Sequence, residues 1–103
     1  MKKHLLALAV LAIAGGAFAQ ANDTVAKAKA SGVITMGVRD SSGALSYTLG
    51  DGKYAGYHVE ICQRIIANVE KAAGRKLEVK YLPVTSQNRI PLVQNGTVDI
   101  ECG

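Results

Sequence analysis

The sequence predicts an α/β protein: an open, largely parallel sheet with helical crossovers and one short hairpin. Three observations carry this. Val33-Ile34-Thr35-Met36-Gly37-Val38 is β-prone and mostly apolar instead of alternating, the pattern of a strand covered on both faces. Between Tyr57 and Ala73 the period changes, with Cys62, Ile65, Ile66, Val69 and Ala73 recurring at helical spacing. Two more strand-like runs then follow, Leu77 to Val84 and Thr97 to Cys102, separated by a short helical segment. Strands alternating with helices make crossover units of a parallel sheet.

Each element has its own local reason. In QANDTVAKAKASG, residues 20–32, one or two turns of helix are expected in TVAKAKA, stopped by Gly32. LSYTLGDGKYAGY, residues 45–57, carries two β-prone runs around Gly50-Asp51-Gly52, a hairpin signal. The long helix has Glu60 near its positive end and closes at Gly74, with Arg75 and Lys76 beyond. Cys62 falls on its apolar stripe and reads as a core residue, while His58 reads as a solvated residue of its first turn. Pro83 stands at the end of the second strand, where a missing N–H matters least. The last helix is expected from Asn88 or Arg89 to Asn95, with Pro91 in its first turn and Gly96 as its left-handed stop.

The ends of the chain read differently. Met1-Lys2-Lys3-His4, the apolar run LLALAVLAIA and the small-residue stretch ending Ala17-Phe18-Ala19 have the order of a cleaved secretory signal. The apolar run is shorter than the ~20 residues of a membrane-spanning helix. Residues 1–19 are therefore expected to be a signal peptide, and 20–32 a lead into the fold. Half of the formal net charge of +4 comes from Lys2 and Lys3. The remainder is too small to imply nucleic acid or an anionic membrane. Asp99-Ile100-Glu101-Cys102-Gly103 reads as a strand end with more chain to follow, so a truncated domain is expected. Two cysteines in an exported chain suggest a disulfide, with two buried thiols as the alternative.

Ligands of open α/β sheets bind outside the carboxyl ends of the strands. Three segments are expected there: Arg39-Asp40-Ser41-Ser42, Thr85-Ser86-Gln87-Asn88-Arg89 and Cys102-Gly103. Two of the three carry an Arg with a hydroxyl nearby. Arginine matches a carboxylate through two parallel charge-assisted hydrogen bonds, and hydroxyls add donors. The alternative is that Arg39 and Arg89 are solvated charges and that Ser86 or Asn88 is a plain helix cap. No phosphate-binding glycine loop is present. His58 is the only His after the signal and has no Cys or His at ligand spacing, so neither metal nor cofactor is expected.

With these residues in place, GVITMGVRDSS, LSYTLGDGKYAGYHVEIC and TSQNRIPLVQNGTVDIECG resemble the periplasmic solute-binding proteins of the polar amino-acid ABC transporter family, and TSQNRIP and DIECG its glutamate/aspartate-binding branch. The resemblance implies a two-lobed hinged fold, of which residues 33–103 would be the first part of lobe 1. It implies that Arg39, Ser86 and Arg89 hold the acidic ligand and that Tyr47 packs over it. It also implies a partner for Cys102 in the second lobe and not at Cys62. Ala44 stands where many relatives have Pro, and His58 where they often have an acidic residue or Ser.

The resulting expectation is a non-enzymatic periplasmic receptor for glutamate or aspartate, monomeric at full length. It would deliver its ligand by hinge closure to the membrane permease of an ABC importer. One rival is an exported enzyme on the same fold, such as a cyclohexadienyl dehydratase, with Asp40 or Glu101 as general acid. Another is the sensor domain of a signalling receptor. The signal pattern predicts that the exported protein starts at Gln20. N-terminal sequencing of secreted material checks this, and retention of Met1 would contradict it.

Overall fold

The computed structural model describes residues 23–103; the expected signal peptide and residues 20–22 lie outside the described residues. Among the described residues no helix is long and apolar enough to cross a membrane. The chain runs α1 (Thr24–Ser31), β1 (Val33–Val38), β2 (Tyr47–Gly50), β3 (Lys53–Ala55), α2 (Tyr57–Ala73), β4 (Glu78–Pro83), α3 (Arg89–Gln94) and β5 (Ile100–Glu101). This is the expected order, with the expected open parallel sheet. Asp23 caps α1 by accepting from the Ala26 N–H at 3.0 Å, and Gly32 ends it at φ 75°.

β1 lies between β4 and β5, parallel to both. Its register with β4 runs from Val33 opposite Glu78 to Val38 opposite Pro83. Ile34, Met36 and Val38 are fully buried, while Val33 and Thr35 are only half covered. Burying each of these large side chains contributes about 1.5–3 kcal/mol. α1 and α2 pack on each other and on β1. The core joins Ala28 of α1, the β1 side chains, Val59, Cys62 and Ile66 of α2, Leu77 and Cys102.

Several expectations are corrected. Ile65, placed on the inward stripe of α2, is 43% exposed, and Val59 is buried instead. The apolar positions of α2 form a band wider than one contact line, and only its Val59, Cys62, Ile66, Ala73 side is covered, with α1 and the sheet packed against the helix. β5 is two residues long, not six, although the Asp99 and Cys102 N–H groups still bond to β1, at Thr35 and Gly37. Cys102 is bonded to Cys62, not left for a partner in the second lobe. β5 ends over the first turns of α2, which sets the two Cα atoms 6.3 Å apart, within bridging range. In the chain-entropy account a loop closed over 40 residues stabilises by about 4 kcal/mol.

One electrostatic clamp was invisible in the pattern. Asp99 accepts from the Thr35 N–H with Oδ2 and pairs with Lys27 Nζ through Oδ1, both at 2.9 Å. Lys27 also donates to the Gly96 carbonyl at 2.8 Å, so α1, the end of α3 and β1 are held at one point.

The hairpin turns at Asp51, which has φ 54°. It then passes directly into α2 through Gly56, at φ 132° and ψ 166°. A Cβ there would collide with the Leu45 carbonyl. Gly74, at φ 71°, has open space around it. Gly56→Ala is therefore expected to cost at least about 3 kcal/mol, from strain plus collision. Gly74→Ala should cost about 1 kcal/mol, from strain alone. Denaturant unfolding of the two variants checks this, and equal losses would contradict the packing at Gly56.

Candidate functional site

All three parallel strands end at the same edge, so the residues following Val38, Pro83 and Glu101 are neighbours there. The loop after β1 is tied down from within. Ser46, fully buried, donates its hydroxyl to the Arg39 carbonyl and accepts from the Arg39 N–H, each at 2.9 Å. The Ser42 N–H bonds to the Ser46 carbonyl at 2.8 Å, and Ser41 bridges to Tyr47. With both its backbone groups engaged, Arg39 sends its side chain along the rim. Its Nη1 donates to Ser86 Oγ at 3.1 Å.

The loop after β4 is built by reciprocal capping. The Thr85 N–H donates to Asn88 Oδ1 at 2.7 Å, and the Asn88 N–H to Thr85 Oγ1 at 3.2 Å. This accounts for Thr85 and Asn88 of TSQNR as structural; of the remaining three, Ser86 and Arg89 lie on the rim. Arg89 Nη1 lies 3.9 Å from Glu101 Oε2, an ion pair beyond hydrogen-bond distance. The other carboxylate oxygen, Oε1, is buried and has no partner among the described residues. Gly103 closes the group: a Cβ there would meet Glu101 Oε1 and lie 2.7 Å from Arg39 Cγ.

Of the four expected residues, the structure brings Arg39, Ser86 and Arg89 to one rim around Glu101 and Gly103. Tyr47 stands nearby on the hairpin, paired with Ala55 and 39% exposed. His58 differs from the solvated residue expected. It is half-buried, and its Nδ1 donates to the Gly103 main-chain oxygen at 2.9 Å. It borders a cavity of about 270 Å³ with Ile61, Cys62, Glu101, Cys102 and Gly103. Hydropathy alone could not find Ser46 or Glu101, because both are polar groups whose burial is set by loops returning from elsewhere in the chain. Tyr54 stacks on Tyr81 at 5.8 Å, and its phenol is held above the ordinary range by burial and then by the Asp40 carboxylate beside it.

A guanidinium offers five N–H donors, and Arg39 spends one on Ser86. The rim thus presents two cations and a hydroxyl where an anion can reach them, Arg89 being 44% exposed. Both cysteines are in the disulfide, so neither supplies a nucleophile. Fold and rim together place two cations and a hydroxyl at the carboxyl edge of a parallel sheet, the edge at which open α/β sheets take their ligands.

Residues 34–103 match the bacterial extracellular solute-binding proteins, family 3, and the chain belongs to that family. It is 41% identical, over an alignment of 111 residues, to the glutamate/aspartate import solute-binding protein of Escherichia coli K12, covering all of this chain and 36% of that one. To the L-glutamate/L-aspartate-binding protein of Pseudomonas aeruginosa it is 51% identical over 83 residues, 78% of this chain and 27% of the relative. The chain thus spans about a third of the length of these relatives. Among solved structures, the solute receptor for L-cysteine of Neisseria gonorrhoeae superposes with TM-score 0.65 at 28% identity, over 79% of this chain and 32% of that one. An ancestral amino-acid-binding protein described as a precursor of cyclohexadienyl dehydratase gives TM-score 0.66 at 20% identity, over 79% of this chain and 33% of that one, a likeness of fold alone.

The Ser46 geometry generates a test. Ser46→Ala leaves the Arg39 N–H without its buried acceptor, which should destabilise by about 1–3 kcal/mol. Denaturant unfolding checks it; a loss under about 0.5 kcal/mol would show that Ser46 does not hold the loop.

Proposed function

We propose that this chain is the ligand-anchoring part of an extracytoplasmic receptor for acidic amino acids. The observation that carries it is the convergence of Arg39, Ser86 and Arg89 on one rim at the carboxyl edge of the sheet. Two arginines suit a ligand with two carboxylates better than a neutral amino acid, because each carboxylate can take a two-pronged guanidinium contact. Tyr47, on the hairpin beside the Arg39 loop, would cover the bound ligand. The names of the relatives from Escherichia coli and Pseudomonas aeruginosa support glutamate and aspartate as the ligands.

In this reading residues 1–19 direct export to the periplasm and are removed, and residues 33–103 form part of the first lobe. The ligand meets this lobe first, a second lobe closes over it by hinge motion, and the closed receptor hands it to the membrane permease of an ABC importer. Of the two carboxylates that could have served a dehydratase, Asp40 lies beside the Tyr54 phenol and Glu101 stands 3.9 Å from Arg89, and the relatives from Escherichia coli and Pseudomonas aeruginosa are named as binding proteins. The reading is therefore a binding protein and not an enzyme.

Arg89→Ala should weaken glutamate binding by about 2–5 kcal/mol, the usual consequence of removing one partner of a desolvated charged pair. Lys80→Ala, in the exposed middle of β4, should leave affinity unchanged. Calorimetric titration compares them. Equal affinities of the two variants would return Arg89 to a solvated surface charge.

A further inference from the structure

We propose that Glu101 is a positioning residue that aims Arg89 at the ligand, through an ion pair too long to consume the arginine's donors. The inference rests on the acidic-ligand reading of the rim. It begins from an oddity: a carboxylate stands among the groups that would attract an anion, with one oxygen buried and, among the described residues, unpartnered. A buried polar atom without a partner is costly and uncommon. A purely structural side chain at this place would serve better if it were apolar.

The carboxylate is also prevented from leaving. Glu101 pairs with Gly37 of β1 in the sheet register. A Cβ on Gly37 would stand 3.4 Å from Glu101 Cγ, so the stem of the side chain lies flat over that glycine. On the other side Oε1 presses against Gly103, where no side chain fits, and the Arg39 stem closes the same space. The head group is thus a negative charge fixed at the strand end.

Arg89, by contrast, starts α3 and is 44% exposed on a long, flexible side chain. Its only charged neighbour among the described ion pairs is Glu101, at 3.9 Å. At that distance the attraction restrains where the guanidinium sits, while no N–H is committed to Oε2. The arrangement differs from Arg39, whose Nη1 is already hydrogen-bonded to Ser86. One arginine is held by a hydroxyl and the other by a charge at a distance. Both are ordered before the ligand arrives, which lowers the ordering cost of binding.

This makes a prediction that separates positioning from repulsion and from simple structure. Glu101→Gln keeps the shape and removes the charge. Titrated with glutamate in the complete protein as its gene encodes it, this variant should bind about tenfold more weakly than the parent. In an Arg89→Ala background the same change should alter affinity less than about twofold, because the group it acts through is gone. Unfolding midpoints taken alongside separate binding from folding. Tighter binding by Glu101→Gln would mean that the carboxylate merely repels the ligand, and would overturn the proposal. So would an equal loss in both backgrounds, or unchanged affinity in a parent that binds glutamate. Failure of the parent itself to bind any acidic amino acid would sink the receptor reading first, and this inference with it.

Discussion

The structure depends on β1 being paired in parallel on both sides. A strand between two parallel neighbours has its backbone fully committed along the paired stretch, and its side chains must be covered by whatever crosses over the sheet. Ile34, Met36 and Val38 meet that demand against α1 and α2. The functional consequence is geometric. Parallel strands end together, so Arg39, the Thr85–Arg89 loop and Gly103 are delivered to one edge although the chain separates them widely. An antiparallel arrangement would scatter these residues to opposite ends.

Around that constraint, a few polar contacts convert an edge into a shaped rim. Ser46 is spent on holding the Arg39 backbone, and Thr85 and Asn88 on holding each other. Asp99 locks the approach to β5 onto β1 while Lys27 ties it to α1. The Cys62–Cys102 bond fixes the far end of β5 to α2. Each of these groups restricts a backbone segment at or next to the rim. The rim is therefore ordered by its supports, leaving Arg39 and Arg89 with donors to spare.

Much of the fold was legible in the sequence because it is written locally. Gly32, Gly74 and Gly96 mark helix ends by a backbone conformation that other residues resist, and the change of period at Tyr57 announces α2. The three rim segments followed from topology once the strands were placed. What was illegible depended on partners distant in sequence. Ile65 and Val59 are both apolar positions of α2, and only the placement of α1 and the sheet decides which is covered. Cys62 and Cys102 carry no mark of their pairing until β5 is laid over α2. Ser46 and Glu101 are polar residues whose burial no local pattern announces, yet one is wholly buried and the other buries an oxygen. His58 was read as solvated because its acceptor, Gly103, lies at the far end of the chain.

The central claim is that Arg39, Ser86 and Arg89 form one anion-recognising surface because the parallel sheet ends them together. A crystal structure of the complete protein with glutamate bound tests it most directly. The account predicts ligand carboxylate oxygens within about 3.2 Å of guanidinium nitrogens of both Arg39 and Arg89 and of the Ser86 hydroxyl, with the Arg89–Glu101 pair still in place. Glutamate bound elsewhere, with either arginine turned to solvent, would contradict it.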